Sequence, residues 1–231
     1  MSEKEFKKFK EVYKEYLKDQ ELIVEIGIGA NPGLYNRIRK NGFKKEYVGV
    51  NFPSDTMPIK PEGLDYQCLD ALDVEKMNKL IGERETTIIS NASLFQIIQG
   101  RVRAKLEKEL LGKRRKEIIE KIMGEAIKET ADAFDKANTD RYLHFQPTCS
   151  VEIIFTRDEY GRFYEKFKKS MEERNWKPTD LRIKEFYLQN YPNLDLVLLL
   201  EREVEPEEIK PEEETKELEK ARQETEKASG E

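Results

Sequence analysis

The fold is decided by the stretch Glu25-Ile26-Gly27-Ile28-Gly29-Ala30-Asn31-Pro32-Gly33. Its first two residues end the apolar run 22–26, after which Gly27 comes directly. A short apolar run that ends in glycine is typical of a buried parallel strand. A helix is predicted over 31–41, with Pro32 in its first turn and Gly42 just past its end. A glycine-rich turn between strand and helix lets the backbone approach a ligand, toward which the helix points its unpaired N–H groups. The stretch therefore predicts a β-α unit with a ligand-binding loop.

Predicted strands and helices continue to alternate toward the carboxyl terminus. Asp73 is predicted to cap a helix over 74–81 that Gly82 ends. Three further apolar runs predict strands over 47–52, 64–69 and 86–90. Strands that alternate with helices in this way predict a parallel sheet with right-handed crossovers.

The second half of the chain predicts a helical insertion and a terminal hairpin. The insertion covers 99–138 and follows the fourth strand; its apolar stripe is Leu106, Leu110, Ile118, Ile122, Ala126 and Ala133. A strand over 142–145 comes next, and a capping box, Thr156 with Glu159, predicts a helix that reaches about residue 175. The last two strands, 181–189 and 194–201, are separated by the short turn 190–193, which favours an antiparallel hairpin.

Three segments are expected from these patterns. Residues 1–20 form an amphipathic helix whose aromatic stripe docks on the core, and residues 21–203 form one α/β domain. Residues 204–231 contain 11 Glu against 5 Lys plus Arg, so they contribute −6 to the net charge of −5. This tail is expected to be disordered or a solvated helix, and the rest of the chain is close to neutral.

Composition excludes several classes of protein. One His and two Cys give neither a disulfide framework nor a metal-site pattern, so no metal is expected. No apolar run approaches the length of a membrane span, and the amino terminus lacks a signal-peptide core. The expectation is a cytoplasmic protein without membrane contact.

The glycine loop and its surroundings resemble the class I S-adenosylmethionine-dependent methyltransferases over roughly residues 20–203. Glu25-x-Gly27-x-Gly29 resembles the family's first motif, in which the acid orients the methionine end of the cofactor. Asp70-Ala71 resembles the pair whose carboxylate meets the adenine amino group, and the terminal hairpin resembles the family's last two strands. The resemblance implies a Rossmann-like three-layer sandwich, with a mainly parallel seven-stranded sheet and an antiparallel carboxyl-terminal hairpin.

The cofactor residues that the resemblance implies include two departures from the family. Asn51 stands where an acid usually meets the ribose hydroxyls, which gives up a charge-assisted hydrogen bond. Asn31 replaces the third glycine, and asparagine also tolerates left-handed backbone. The expected S-adenosylmethionine-binding set is Glu25, Gly27, Gly29, Asn31, Asn51, Asp70, Ala71 and Asn91.

The methyl acceptor is left open as a small molecule or RNA. Ser90-Asn91-Ala92 is expected to face the transferred methyl group, but 90–95 lacks the two prolines of enzymes that methylate amino groups of nucleic acids. No catalytic base is assigned: a hydrogen-bonded core histidine is favoured for His144, and Cys149 has no base partner in the sequence.

Several alternatives remain at this point. The run Lys113-Arg114-Arg115-Lys116 would suit phosphate, but glutamates flank it and a solvated charged face is favoured. The insertion serves equally as a substrate lid or as a homodimer interface. Asn51 keeps open a non-catalytic relative that acts as an interaction or assembly module. A site for another nucleotide, as in an NAD-dependent oxidoreductase, is a weaker alternative. That fold also usually has an acidic residue at the end of the second strand, where this chain has Asn51.

Overall fold

The computed structural model describes residues 7–28, 32–52, 64–91, 94, 97–98, 100–102, 104–105, 115–146, 157–184 and 195–203. These residues form one mixed sheet with helices on both faces. The strands are β1 (Lys7–Lys8), β2 (Leu22–Ile26), β3 (Glu46–Asn51), β4 (Asp65–Cys68), β5 (Thr86–Asn91), β6 (Arg141–Gln146), β7 (Trp176–Lys184) and β8 (Asp195–Arg202). The helices are α1 (Phe9–Val12), which continues into a π-helical turn (Tyr13–Leu17), α2 (Gly33–Lys40), α3 (Val74–Ile81), α4 (Arg115–Asp135) and α5 (Arg157–Glu172).

The strand order is β1-β7-β8-β6-β5-β2-β3-β4. Strands β4, β3, β2, β5 and β6 pair in parallel, whereas β8 runs antiparallel between β6 and β7. This confirms the mainly parallel sheet in which the last two strands of the chain, β7 and β8, pair antiparallel. The turn predicted over 190–193 and the cap predicted at Thr156 lie outside the described residues.

Among the described residues the sheet has eight strands, so the prediction of seven was wrong by one. The extra strand is β1, whose Lys7 and Lys8 pair in parallel with Ile183 and Lys184 of β7. It lies in the segment predicted to be helical from residue 2; among the described residues, the helix begins only at Phe9. Backbone pairing with a strand so distant in the chain leaves no periodic signal in two lysines.

Local signals set the ends of the helices. Asp73 caps α3 by accepting a hydrogen bond from the backbone N–H of Lys76 at 3.2 Å, and Gly82 ends it with a φ of 66°. That helix was predicted residue for residue. In α2, Leu34, Tyr35 and Ile38 are buried on one face, as an amphipathic helix requires.

Two hydrophobic clusters cover the two faces of the sheet. The first face packs against α1, the π-helical turn and α2, with the side chains of Phe9, Leu17, Tyr35 and Ile38 at its centre. The second packs against α3, α4 and α5. On it, Phe134 stacks on Tyr142 with ring centroids 4.4 Å apart.

The described part of the predicted insertion belongs to that second core. Ile122, Ala126 and Ala133 of the apolar stripe are buried, and so are Leu94, Ile98 and Val102 just after β5. Apart from Ala133, these side chains belong to the hydrophobic cluster that also contains residues of α5 and of the sheet. The other predicted members of the stripe, Leu106, Leu110 and Ile118, lie where no side chain is described.

Candidate functional site at the carboxyl edge of the sheet

The register brings the carboxyl ends of five parallel strands, β2 to β6, to one edge. Ile26 lies beside Val50 on one side and Ser90 on the other, Asn51 lies beside Cys68, and Asn91 lies beside Phe145. Gly27, Asn51, Asp70 and Asn91 each lie at this edge or directly follow a strand that ends there. In open α/β sheets, this carboxyl edge is where ligands bind.

The glycine loop begins with a left-handed residue and a close contact. Gly27 has a φ of 67°, which glycine adopts without steric cost, and its N–H donates to the carbonyl of Val50 at 2.6 Å. Ile28 then packs against Gly49 of β3, where an added Cβ would lie 2.9 Å from Ile28 Cδ1. The start of the loop is therefore fixed on β3. Gly29 and Asn31 lie outside the described residues.

Glu25 lies inside the core beneath this loop. Its side chain accepts a hydrogen bond from the hydroxyl of Tyr47, and the residue is 2% exposed. Burial raises the pKa of the Glu25 carboxyl to about 7, partly offset by the Tyr47 hydrogen bond. Burial, together with the nearby charge of Glu25, raises the pKa of Tyr47 well above its usual value. Because the carboxyl is enclosed, any effect of Glu25 on a ligand passes through the position of the loop.

Two amides mark the ends of β3 and β5. Asn51 is buried and Asn91 is half-buried, so the ends of both strands present polar side chains at a largely apolar edge. The backbone carbonyl of Asn51 accepts a hydrogen bond from Leu69 N–H at 2.9 Å, which holds the segment after β4 against β3.

Asp70 follows β4 and is already engaged through both oxygens. Oδ2 receives a hydrogen bond from Arg101 Nη2 at 2.5 Å, and Oδ1 receives one from the backbone N–H of Leu72 at 3.0 Å. Ala71 is half-buried and packs against the core. Sequence reasoning missed Arg101, because the 31 residues between the partners carry no local pattern that would join them.

A second polar pair lies in the core near the same edge. Ser90 Oγ and His144 Nδ1 are 2.8 Å apart, in directly paired positions of β5 and β6, and both residues are buried. The interpretation of His144 as a hydrogen-bonded core histidine is confirmed. Cys149, Lys113 and Arg114 lie outside the described residues, and of Arg115 and Lys116 only the helical backbone is described.

The described residues show neither a metal site nor a membrane-spanning helix. They contain no group of three or more His, Cys, Asp or Glu side chains arranged to hold a metal ion. None of the helices described there is long and apolar enough to cross a membrane.

The class of fold follows from the strand order. The last strand, β8, runs antiparallel and lies between β6 and β7 in an otherwise parallel sheet. This is the arrangement of class I S-adenosylmethionine-dependent methyltransferases. Ordinary dinucleotide-binding sheets lack that antiparallel strand. The chain has this fold, with its polar side chains at the edge where the fold binds ligands.

Comparisons with known proteins add little to the fold. No protein-family model matches the chain, and no curated protein sequence matches it. One similar structure is a prophage-encoded E. coli protein assigned as a DNA modification methyltransferase, with 10% identity, a TM-score of 0.48 and coverage of 78% of this chain and 46% of that one. Another is a precorrin-6y C5,15-methyltransferase of Geobacter metallireducens, with 10% identity, a TM-score of 0.43 and coverage of 88% and 97%.

A third similar structure is a small RNA methyltransferase, with 9% identity, a TM-score of 0.44 and coverage of 85% of this chain and 25% of that one. This chain therefore spans less than half of the E. coli protein and a quarter of the RNA enzyme. Similarities this distant say nothing about which molecule this chain acts on.

Proposed function

We propose that this protein is an S-adenosylmethionine-dependent methyltransferase that acts on an unidentified acceptor, a small molecule or RNA. The observation that carries the proposal is the polar set at the carboxyl edge of a sheet with this strand order. Asn51 and Asn91 end β3 and β5 at that edge, and Gly27 and Asp70 follow β2 and β4 there.

The chemistry of this set fits the cofactor. Adenine presents an amino donor, which suits the Asp70 carboxylate, and the ribose hydroxyls suit the Asn51 amide. The methionine carboxylate suits the glycine loop and the helix that follows it, because a helix N-terminus favours negative charge. We assign Ala71 to the adenine side of the site, and Glu25, Gly29 and Asn31 to the loop. Asn91 is assigned to the methyl side.

When bound, the cofactor would supply a methyl group on a sulfonium sulfur. The protein's part is then to hold and enclose the acceptor near Asn91, because direct displacement depends largely on positioning. A base is required only for an acceptor that must lose a proton.

The Arg101–Asp70 ion pair does not prevent adenine from binding. A carboxylate offers about four lone-pair sites, and the two hydrogen bonds to Asp70 use two of them. The Asp70 and Arg101 side chains are 31% and 41% exposed, so rearranging their pair costs little: surface ion pairs contribute about 0–1 kcal/mol.

Calorimetry with S-adenosylmethionine and S-adenosylhomocysteine tests the proposal. We expect binding of both, and the absence of binding at about 1 mM ligand, near −4 kcal/mol, would overturn it. Nicotinamide dinucleotides serve as the negative control. Binding of those instead would point to the oxidoreductase alternative.

Substitution of Asp70 tests the adenine assignment. Asp70→Ala removes a charge-assisted hydrogen bond worth about 1.5–3 kcal/mol, so we expect S-adenosylhomocysteine affinity to fall by roughly 10- to 100-fold. Arg101→Ala should instead leave affinity unchanged or raise it by up to about fivefold, because it removes a competitor worth at most about 1 kcal/mol.

Arg84→Ala is the matched control for these variants. Arg84 makes a similar 2.5 Å ion pair with Glu46, which lies at the start of β3 and so at the opposite edge of the sheet. Equal affinity in Asp70→Ala and Arg84→Ala would refute the adenine assignment while leaving cofactor binding itself open to the calorimetric test.

The second candidate is a non-catalytic relative that acts as an interaction or assembly module. One observation favours it: an amide rather than an acid stands at Asn51. Mass spectrometry of the protein as purified separates the two candidates. A co-purifying adenosyl compound supports the enzyme, whereas failure of calorimetric binding supports the module.

A further inference from the structure

A basic groove lies at the amino edge of the sheet, opposite the candidate site. Its four lysines, Lys14, Lys18, Lys44 and Lys45, come from the π-helical turn region and from the segment between α2 and β3, and the cavity measures about 480 Å³. Behind them, Tyr13 and Phe43 are buried and form the apolar floor.

The groove has an excess of positive charge. In the described part of the chain, the side chains of Lys14, Lys18 and Lys44 are exposed and no carboxylate pairs with them. Lys45 Nζ donates to the backbone carbonyl of Asp19 at 2.8 Å. The Asp19 carboxylate also lies near the groove, since its charge adds to burial in raising the pKa of Tyr13, and it can offset one of the four lysine charges.

The neighbouring glutamates are engaged elsewhere. Glu15 pairs with Lys7, and Glu46 pairs with Arg84. Four close cations with so little local compensation favour an anionic occupant.

The antiparallel direction of β8 returns the chain to this same edge. The register places Tyr47, Ile23, Thr87, Arg141 and Glu201 in one row across five neighbouring strands. Four strand spacings of about 4.8 Å separate the ends of this row, which is about 19 Å. Glu203 therefore lies at the amino edge, within a short reach of Lys44 and Lys45.

The chain beyond Glu203 carries its negative charge close to this exit. Residues 204–214 contain six Glu and one Lys, a net charge of −5, whereas residues 215–231 contain five Glu and four Lys plus Arg, a net charge of −1. At about 3.3 Å per extended residue, some six residues span the 19 Å. The run Glu212-Glu213-Glu214 can therefore reach all four lysines.

We propose that the acidic segment 204–214 docks in the basic groove of the same chain. A tethered segment meets its site at an effective concentration in the millimolar range, so it outcompetes a dilute second copy or an external polyanion of equal charge. The groove is then a closed surface, and nucleic acid reaches it only by displacing the tail. This inference does not depend on the cofactor or on the methyl acceptor.

Carbodiimide cross-linking of the full-length protein tests the proposal, because it joins only lysine amines and carboxylates that touch. At low salt we expect peptides that join Lys14, Lys18, Lys44 or Lys45 to glutamates of 205–214. The yields should be comparable to that of the Lys105–Glu129 pair, which lies at 2.6 Å. Raising the salt to about 1 M shortens the Debye length from about 10 Å to about 3 Å and should reduce the groove cross-links several-fold.

Two matched pairs of variants sharpen the test. Lys44→Gln with Lys45→Gln should reduce the cross-links of Lys14 and Lys18 several-fold, whereas Lys166→Gln with Lys169→Gln, exposed lysines of α5, should not. On the tail, Glu212→Gln, Glu213→Gln and Glu214→Gln together should reduce the cross-links of Glu205–Glu208. The equal charge change Glu217→Gln, Glu219→Gln and Glu224→Gln should leave them intact.

Two results would overturn the proposal. One is the absence of groove cross-links in a sample where Lys105–Glu129 forms. The other is that groove cross-links appear only between light and heavy copies in an isotopically mixed sample, which would make the groove an interface between chains.

Discussion

Two buried polar pairs, on opposite faces of the sheet, differ in what their burial does to stability. Glu25 and Tyr47 lie on the face covered by α1 and α2, and Ser90 and His144 lie on the face covered by α4 and α5. Both pairs are hydrogen-bonded near the candidate site. Only the first contains a carboxyl group, whose charged form is disfavoured by burial. The Glu25–Tyr47 pair therefore makes the stability of the fold depend on pH.

The largest effect is expected for Glu25→Gln. Because the pKa of Glu25 is raised from 4.5 to about 7, its stabilising contribution is complete below pH 4.5 and lost as pH rises through 7. At pH 8 the amide should raise the free energy of unfolding by about 3 kcal/mol, at 1.36 kcal/mol per pKa unit. Urea unfolding from pH 4 to pH 8 measures this.

Glu46→Gln is the control for Glu25→Gln, because Glu46 is exposed and pairs with Arg84 at the surface. Its effect should stay within about 0.5 kcal/mol at every pH. Identical pH profiles for the wild type and Glu25→Gln would show that Glu25 does not titrate in this range in the folded protein.

A smaller effect is expected for Tyr47→Phe. The substitution keeps the ring, which packs edge-on against Tyr35 with centroids 5.0 Å apart, and removes the donor to Glu25. We expect a loss of about 1–3 kcal/mol at pH 8, the cost of a buried acceptor that loses its partner. In a Glu25→Gln background the loss should be smaller, since a neutral amide is cheaper to bury. A double-mutant cycle measures the difference, and purely additive effects would argue against the bond.

The smallest effect is expected for Ser90→Ala. It removes one hydrogen bond to His144, for which we expect a loss of about 1 kcal/mol in the free energy of unfolding at pH 8. Ser170→Ala is the matched control, since its hydroxyl bonds Arg174 at 2.9 Å near the surface. If Ser90→Ala costs as much as Tyr47→Phe, the contrast between the two faces fails.

The parts of the fold that were predicted correctly rest on local chemistry. Helix α3 was predicted residue for residue because Asp73 and Gly82 act on their own neighbours in the chain. Strand β7 was predicted to begin at residue 181 but begins at Trp176. Its first residues pair with β8, Trp176 opposite Arg202, and Trp176 packs against Tyr142 with centroids 5.3 Å apart. Pro178 lies among these residues, and proline is disfavoured within a strand. Sequence alone cannot show such distant partners.

In the candidate site, too, the residues recognisable from local sequence were named and those that depend on distant partners were not. Gly27, Asn51, Asp70 and Asn91 were named from short motifs at strand ends, and the register places all of them at one edge. Arg101 and Tyr47 were not named, because each acts through a partner 31 and 22 residues away. The complete burial of Glu25 was also unexpected. Alternation along β2 predicts the face of the sheet on which Glu25 lies, but not which residues pack over that face.

The pairing of β1 with β7 also bears on how the protein is made. Lys7 pairs with Ile183, and the ring of Phe9 packs against Phe145 with centroids 6.0 Å apart. A ribosome that adds about 5–20 residues per second needs about 10–35 s between Lys7 and Ile183. Throughout that interval Lys7 and Lys8 have no β7 to pair with, so β1 can join the sheet only after most of the chain has been synthesised.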